Sequence, residues 1–170
     1  MERLCLPQPL PEDEPQAERL EQLAGLLGVP VCRVSEGETR ELGAAVLTLM
    51  PVEGTEYRGL AVLVSQGEFD LLVTGDAGEA EEAALTGQWG LSQIEVLVAG
   101  HHGSRYAAGE ALLEAVRPQA VLFSVGENPY GHPTQAAIDR CRAAGAELRR
   151  TDRNGTIWLE VRKMWEERGK

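Results

Sequence analysis

Histidine is the scarcest informative residue in this chain. There are three, His101, His102 and His132, and none before residue 101. Any metal site must therefore be built with very few imidazoles. Cysteine is nearly as sparse: Cys5, Cys32 and Cys141 are far apart, odd in number and form no CxxC pair. Neither a zinc ribbon nor a disulfide framework is indicated, and three free thiols fit a reducing compartment. No run of 18 apolar residues exists, so no segment reads as a bilayer-spanning helix. Met1 to Pro15 is acidic and proline-rich, without the basic then apolar order of a signal peptide. Basic residues are outnumbered, 16 against 27 acidic, for a net charge of −11. With only eight aromatics, such a chain is a poor whole-surface nucleic-acid binder. The deficit is uneven: residues 1–100 carry a net −13 and residues 101–170 a net +2. A local basic face in the second part remains compatible with the count.

What is present is an ordinary soluble composition, with 43% hydrophobic and 25% charged residues. The 170 residues are enough for one domain with a real core. The expected division is a flexible lead over 1–15, a domain over 16–161 and a charged tail over 162–170. Pro15 to Leu27 reads as a helix with Leu20, Leu23, Leu26 and Leu27 on one face, stopped by Gly28. Strands are expected at Val31–Val34, Ala45–Met50, Leu60–Ser65 and Phe69–Thr74, the last two joined as a hairpin through Gln66-Gly67-Glu68. Ser35 to Leu42 reads as a polar turn region. Helices at Glu79–Leu85, Glu110–Val116 and Thr134–Ala144 alternate with strands at Ile94–Val98, Ala120–Val125 and Glu147–Arg150. A last strand at Thr156–Val161 completes an expected hairpin through Asn154-Gly155. Asn154-Gly155-Thr156 also matches a glycosylation sequon, but the hairpin reading outweighs it. The pattern is α/β, a mixed sheet with flanking helices.

Three apolar strands each end in glycine followed by polar groups. Leu71-Leu72-Val73-Thr74-Gly75 delivers Asp76. Val96-Leu97-Val98-Ala99-Gly100 delivers His101 and His102. Val121-Leu122-Phe123-Ser124-Val125-Gly126 leads to Glu127, Asn128 and Gly131-His132-Pro133. Ligands of α/β sheets gather beyond the carboxyl ends of strands, and the glycines let the chain turn sharply there. One aspartate with two or three histidines suits zinc or manganese, which would activate water and grip a phosphoryl or carbonyl oxygen. Singly, each residue has a plainer reading: Asp76 as a helix N-cap, His101-His102 as a solvated pair, His132 as a turn residue. Together, all three histidines lying past strand ends favour a site. Ser104 lacks the Gly-x-Ser-x-Gly setting of a nucleophile. Arg149, Arg150 and Arg153 form a basic run, either a solvated face or, with Ser104, candidate phosphate contacts.

Four motifs occur in order: Leu72-Val73-Thr74-Gly75-Asp76-Ala77, Val96-Leu97-Val98-Ala99-Gly100-His101-His102-Gly103-Ser104, Tyr130-Gly131-His132-Pro133 and Arg150-Thr151-Asp152-Arg153-Asn154-Gly155-Thr156. Together they resemble the C-terminal metallo-β-lactamase-fold domain of the ComEC competence (DNA-uptake) proteins, from about Leu4 to Val161. The resemblance implies Asp76 as a metal-bridging ligand and His101 or His102 as the last ligand. It places His132 near the site as a ligand or transition-state helper. It implies a nuclease- or phosphodiesterase-like hydrolase using zinc or manganese, on the outer side of the bacterial cytoplasmic membrane, with single-stranded DNA and a membrane channel part as partners.

The resemblance covers the second half of that fold plus a lead-in. The His-x-His/Asp-x-Asp-His signature of the first half has no counterpart here, since no histidine precedes His101. The expectation is a truncated or degenerate domain, a soluble fragment with little or no hydrolysis on its own and partial or absent metal. The missing N-terminal half would be a partner. An uncovered apolar sheet face would drive homo-oligomerisation. Two alternatives stay open: a non-catalytic DNA- or partner-binding module, and a small-phosphoester metallohydrolase outside competence.

Overall fold

Two kinds of apolar pattern run through the chain, and they make two kinds of strand. The computed structural model describes residues 3–8, 15–54 and 58–161. β1 (Leu4–Pro7) is followed by α1 (Pro15–Leu26) and β2 (Val31–Val34). Then come β3 (Glu38–Leu42), β4 (Ala45–Glu53), β5 (Arg58–Gln66) and β6 (Phe69–Val73), which pair in sequence as an antiparallel meander. From β6 onward, strands alternate with helices: α2 (Glu79–Trp89), β7 (Val96–Val98), α3 (Glu110–Val116), β8 (Ala120–Phe123), α4 (Gln135–Ala143), β9 (Glu147–Arg150). A helix between two strands carries the chain back to its starting end, so β6 to β9 are parallel. The seven strands lie in chain order, β3-β4-β5-β6-β7-β8-β9, and β1 pairs with β2 in a separate two-stranded parallel sheet. β1 lies against β5, and β2 against β4.

Side chains alternate across a strand, so register sorts the sheet into two faces. Leu72, Leu97 and Val121 stand side by side on one face and are fully buried. They join Met50, Ala61 and Phe123 in one core with Leu85 of α2, Leu112 and Val116 of α3, and Ala137 and Cys141 of α4. On the other face the row Val62, Val73, Val98 and Leu122 is only half-buried. The helices thus cover one face, and the second face is partly open.

Several elements differ from expectation. The lead contains a strand: Leu4-Cys5-Leu6-Pro7 pairs in register with Val31–Val34, and Leu6 and Val34 are buried between them and the rest of the fold. The remainder of the lead expected as flexible (1–2 and 9–14) and the charged tail (162–170) lie outside the described residues. Residues 38–42 are not a turn but an edge strand. Its charged residues Glu38, Arg40 and Glu41 are what an edge carries to discourage further pairing, and they hid it from a hydrophobic pattern. The leucine face of α1 points outward. Ala17 and Ala24 are buried instead, while Leu26 is 85% and Leu27 68% exposed. Small residues let the helix approach closely, which leucines would prevent.

The expected final hairpin is absent. Residues 151–154 form a single helical turn, α5 (Thr151–Asn154), and 156–161 are not a strand. The Thr151 hydroxyl accepts from the Val125 amide at 2.7 Å and donates to the Val125 carbonyl at 2.6 Å. The Asn154 side chain accepts from the Arg150 amide at 2.9 Å. These bonds fold the segment back on β8 and β9 and leave Asn154 no role in a two-residue turn.

Candidate active site

The sheet brings the ends of β6, β7 and β8 together because their registers are in step. The His101 amide donates to the Gly75 carbonyl at 2.9 Å, and the Ala99 amide to the Leu122 carbonyl at 2.9 Å. This seats the His-His turn between the Asp76 loop and the chain leaving β8. Gly100 makes the fit possible. A Cβ there would stand 2.8 Å from the Ala77 carbonyl oxygen and 2.9 Å from Thr74 Oγ1.

His101 and His102 both hold left-handed backbone, with φ of 45° and 55°. Non-glycine residues rarely adopt it, and strain of this kind concentrates at functional sites. The His102 Nδ1 is 2.7 Å from the Ser124 carbonyl, so Nδ1 carries the proton there and Nε2 is left as an acceptor. The His101 and His132 rings meet edge-on with centroids 5.7 Å apart, and Tyr130 stacks on His132 at 6.0 Å. Asn128 ties the turn that presents His132. Its Oδ1 accepts from the Tyr130 and His132 amides, and its Nδ2 donates to the Gly126 and His132 carbonyls. His132 Nδ1 is buried and has no hydrogen-bond partner among the described residues. Withdrawal from water, with His101 and His102 alongside, holds the His132 imidazole below its ordinary pKa. A cavity of about 410 Å³ opens here between His102, Asn128, Tyr130, His132 and Thr151.

Asp76 is exposed and makes no hydrogen bond or ion pair to another described residue. It is not the N-cap of α2, a place taken by Gly78. The plainer reading of this residue therefore fails. Oxygen and imidazole donors of this kind suit a borderline divalent metal. They do not close around one, however. Among the described residues, no three of Asp76, His101, His102 and His132 bring ligand atoms within 4.8 Å of one another. The donor types fit such an ion, and the number and spacing of donors do not.

The candidate phosphate contacts are dispersed. Ser104 is buried, and its hydroxyl accepts from the Tyr106 amide inside a turn. Arg149 and Arg150 project from opposite faces of β9. Arg149 pairs with Glu147. Arg150 grips Asp152 with two nitrogens, at 2.9 and 2.6 Å, and that grip holds the Asp152 carboxyl below its usual range. Arg153 lies with Arg150 in a shallow recess beside α4, apart from the histidines.

Two supporting residues escaped the sequence reading. Glu82 of α2 is buried, and its two oxygens accept from the Ala108 and Gly109 amides at 3.0 and 2.8 Å. Arg140 of α4 donates to the carbonyls of Arg105, Ala107 and Ala108. Together they clamp the loop that follows the His-His turn. Nothing in their sequence neighbourhoods marks them, since both read as solvent-facing charges on amphipathic helices.

The mixed sheet with helices on one face is also found in solved proteins of metallo-β-lactamase fold. CmlA, a diiron β-hydroxylase from Streptomyces venezuelae, superposes with a TM-score of 0.58 at 15% identity, over 88% of this chain and 38% of that one. The metallo-β-lactamase fold protein YhfI from Bacillus subtilis gives 0.52 at 11% identity, over 81% and 59%. No family model matches.

The curated relatives are competence proteins. Competence protein ComA of Neisseria gonorrhoeae is 43% identical over 96 residues, 55% of this chain and 14% of that protein. ComE operon protein 3 of Bacillus subtilis is 26% identical over 163 residues, 92% and 21%. Recombination protein 2 of Haemophilus influenzae is 34% identical over 97 residues, 56% and 12%. The chain thus spans about a fifth or less of these relatives. It fits a ComEC-like domain of metallo-β-lactamase fold. No helix among the described residues is long and apolar enough to cross a membrane.

Proposed function

We propose that this chain is a share of the hydrolase-type domain of a ComEC-like DNA-uptake protein, facing the outer side of the cytoplasmic membrane. In this reading it carries part of a divalent-metal centre for phosphodiester cleavage of nucleic acid. Asp76 and one of His101 and His102 are its ligands, and His132, its pKa lowered by burial, is the proton-handling group. The remaining ligands come from a segment outside this chain. The observation that carries the reading is the His101-to-Gly75 backbone bond, which seats the His-His turn directly beside the Asp76 loop. The open ligand set supports the second part, that the chain alone does not turn over.

The test is hydrolysis of bis(p-nitrophenyl) phosphate and of single-stranded DNA by the purified chain, with zinc or manganese supplied. Turnover at background is expected, with restoration when a segment bearing the His-x-His signature is added. Robust turnover by the chain alone, abolished by Asp76→Ala, would overturn the claim of an incomplete site. Failure of the added segment to restore any cleavage would overturn the hydrolase reading itself.

A further inference from the structure

Three potential ligands converge far from the histidines. Cys5 and Cys32 are direct partners in the register of β1 and β2, so their side chains leave the small sheet on the same face. Glu38, the first residue of β3, reaches the same point: its Oε2 lies 3.1 Å from Cys32 Sγ. One ligand atom from each of the three residues lies within 4.8 Å of the other two, and all three residues are half-buried. The other carboxylate oxygen, Oε1, is held by Arg40, with Arg3 Nη1 4.0 Å away. The carboxylate is therefore oriented from behind, with its second oxygen turned to the sulfurs. Outer partners of this kind commonly fix a metal-binding carboxylate. Both thiols are free.

We infer that Cys5, Cys32 and Glu38 form an ion site for a single thiophilic divalent ion of the zinc type. Tetrahedral zinc with bonds of about 2.3 Å to sulfur and about 2.1 Å to oxygen places its ligands about 3.6–3.8 Å apart, within the span of this cluster. Loading exchanges the two thiol protons for the ion. Each S–H bond is replaced by a sulfur–metal bond, the protons pass to solvent, and nothing is oxidised or reduced. The cluster keeps one net negative charge, which Arg40 and Arg3 offset. The ligands come from β1, β2 and β3, so the ion pins the two-stranded sheet to the outer strand of the large one. Three protein ligands leave the fourth tetrahedral position to water. Cys141 takes no part: it is in the core, and burial pushes its thiol up to about 11.

Cobalt(II) titration of the full chain under reducing conditions tests the site, because only thiolate ligands give a strong near-ultraviolet charge-transfer band. The expected result is one equivalent bound with that band. The band should vanish in Cys5→Ser and Cys32→Ser and persist in Asp76→Ala. In Glu38→Gln the affinity should fall by at least ~10-fold, the loss seen when an outer partner alone is removed. Zinc should raise the unfolding temperature of the wild type and of Asp76→Ala alike. No band with both thiols reduced overturns the site. So does a zinc shift that survives Cys5→Ser but disappears in Asp76→Ala, or air oxidation that consumes both thiols without ion uptake in the presence of zinc. If a cysteine variant fails to fold, Glu38→Gln and Asp76→Ala still separate the two ion-binding regions.

Discussion

Two residues set opposite terms in the energetics of the histidine loop. Burial pushes the Glu82 carboxyl from 4.5 to about 7, against the lowering effect of the Gly109 and Ala108 amides. The folded protein thus keeps a proton that the unfolded chain has already released. Stability from this group is full below the unfolded value and is lost as pH rises through about 7, at a slope of up to ~1.4 kcal/mol per unit. The unfolding temperature of the wild type should therefore fall from pH 5 to pH 8, and Glu82→Gln should flatten that fall; equal slopes for both proteins would refute the assignment. His101 is the second case. Its left-handed backbone costs about 1–2 kcal/mol in an L-residue, less than that once the entropy of glycine is counted. His101→Gly should raise stability by up to about 1 kcal/mol in thermal unfolding, which marks a residue retained for reasons other than folding. The three strand-end motifs were legible because each needs a rare combination of apolar run, glycine and polar tip. Glu82 and Arg140 were not, because their partners are backbone groups more than 25 positions away.

At the scale of elements, the exposed leucines of α1 are the clearest anomaly. The spacing of Leu20, Leu23, Leu26 and Leu27 predicted the helix and left its orientation open. Hydrophobic periodicity finds a face but does not say whether an adjacent row of alanines allows a tighter approach. A ridge of leucines in water favours burial against another such ridge, at about 25 cal/mol per Å² removed from solvent. A second copy of this chain presents the identical ridge. The purified chain should therefore self-associate, and the double substitution Leu23→Gln with Leu26→Gln should return it to a monomer in light scattering without lowering the unfolding temperature. A wild type that stays monomeric at high concentration would sink the idea. The final hairpin failed for a different reason. Asn-Gly is a strong turn signal only while the asparagine side chain is uncommitted, and here Arg150 claims it.

For the molecule as a whole, the α/β class and the mixed sheet follow from the alternation of strands and helices after residue 69, which the sequence displays openly. The face that is open was legible only as an expectation, and the structure qualifies it. Val73, Val98 and Leu122 are half-buried rather than bare, and Ile157 from the segment after α5 borders the same hollow. The order of the large sheet has a consequence of its own. Because β3 to β9 sit side by side in the order in which they are synthesised, no strand has to be inserted between two others. The hairpins of the meander can close first, over loops of a few residues, while each later strand waits for a helix to return the chain. A ribosome would thus release this sheet as a growing row, each new strand docking on a rim already made. The strand-end site beside Asp76 would come into being only with the last third of the chain.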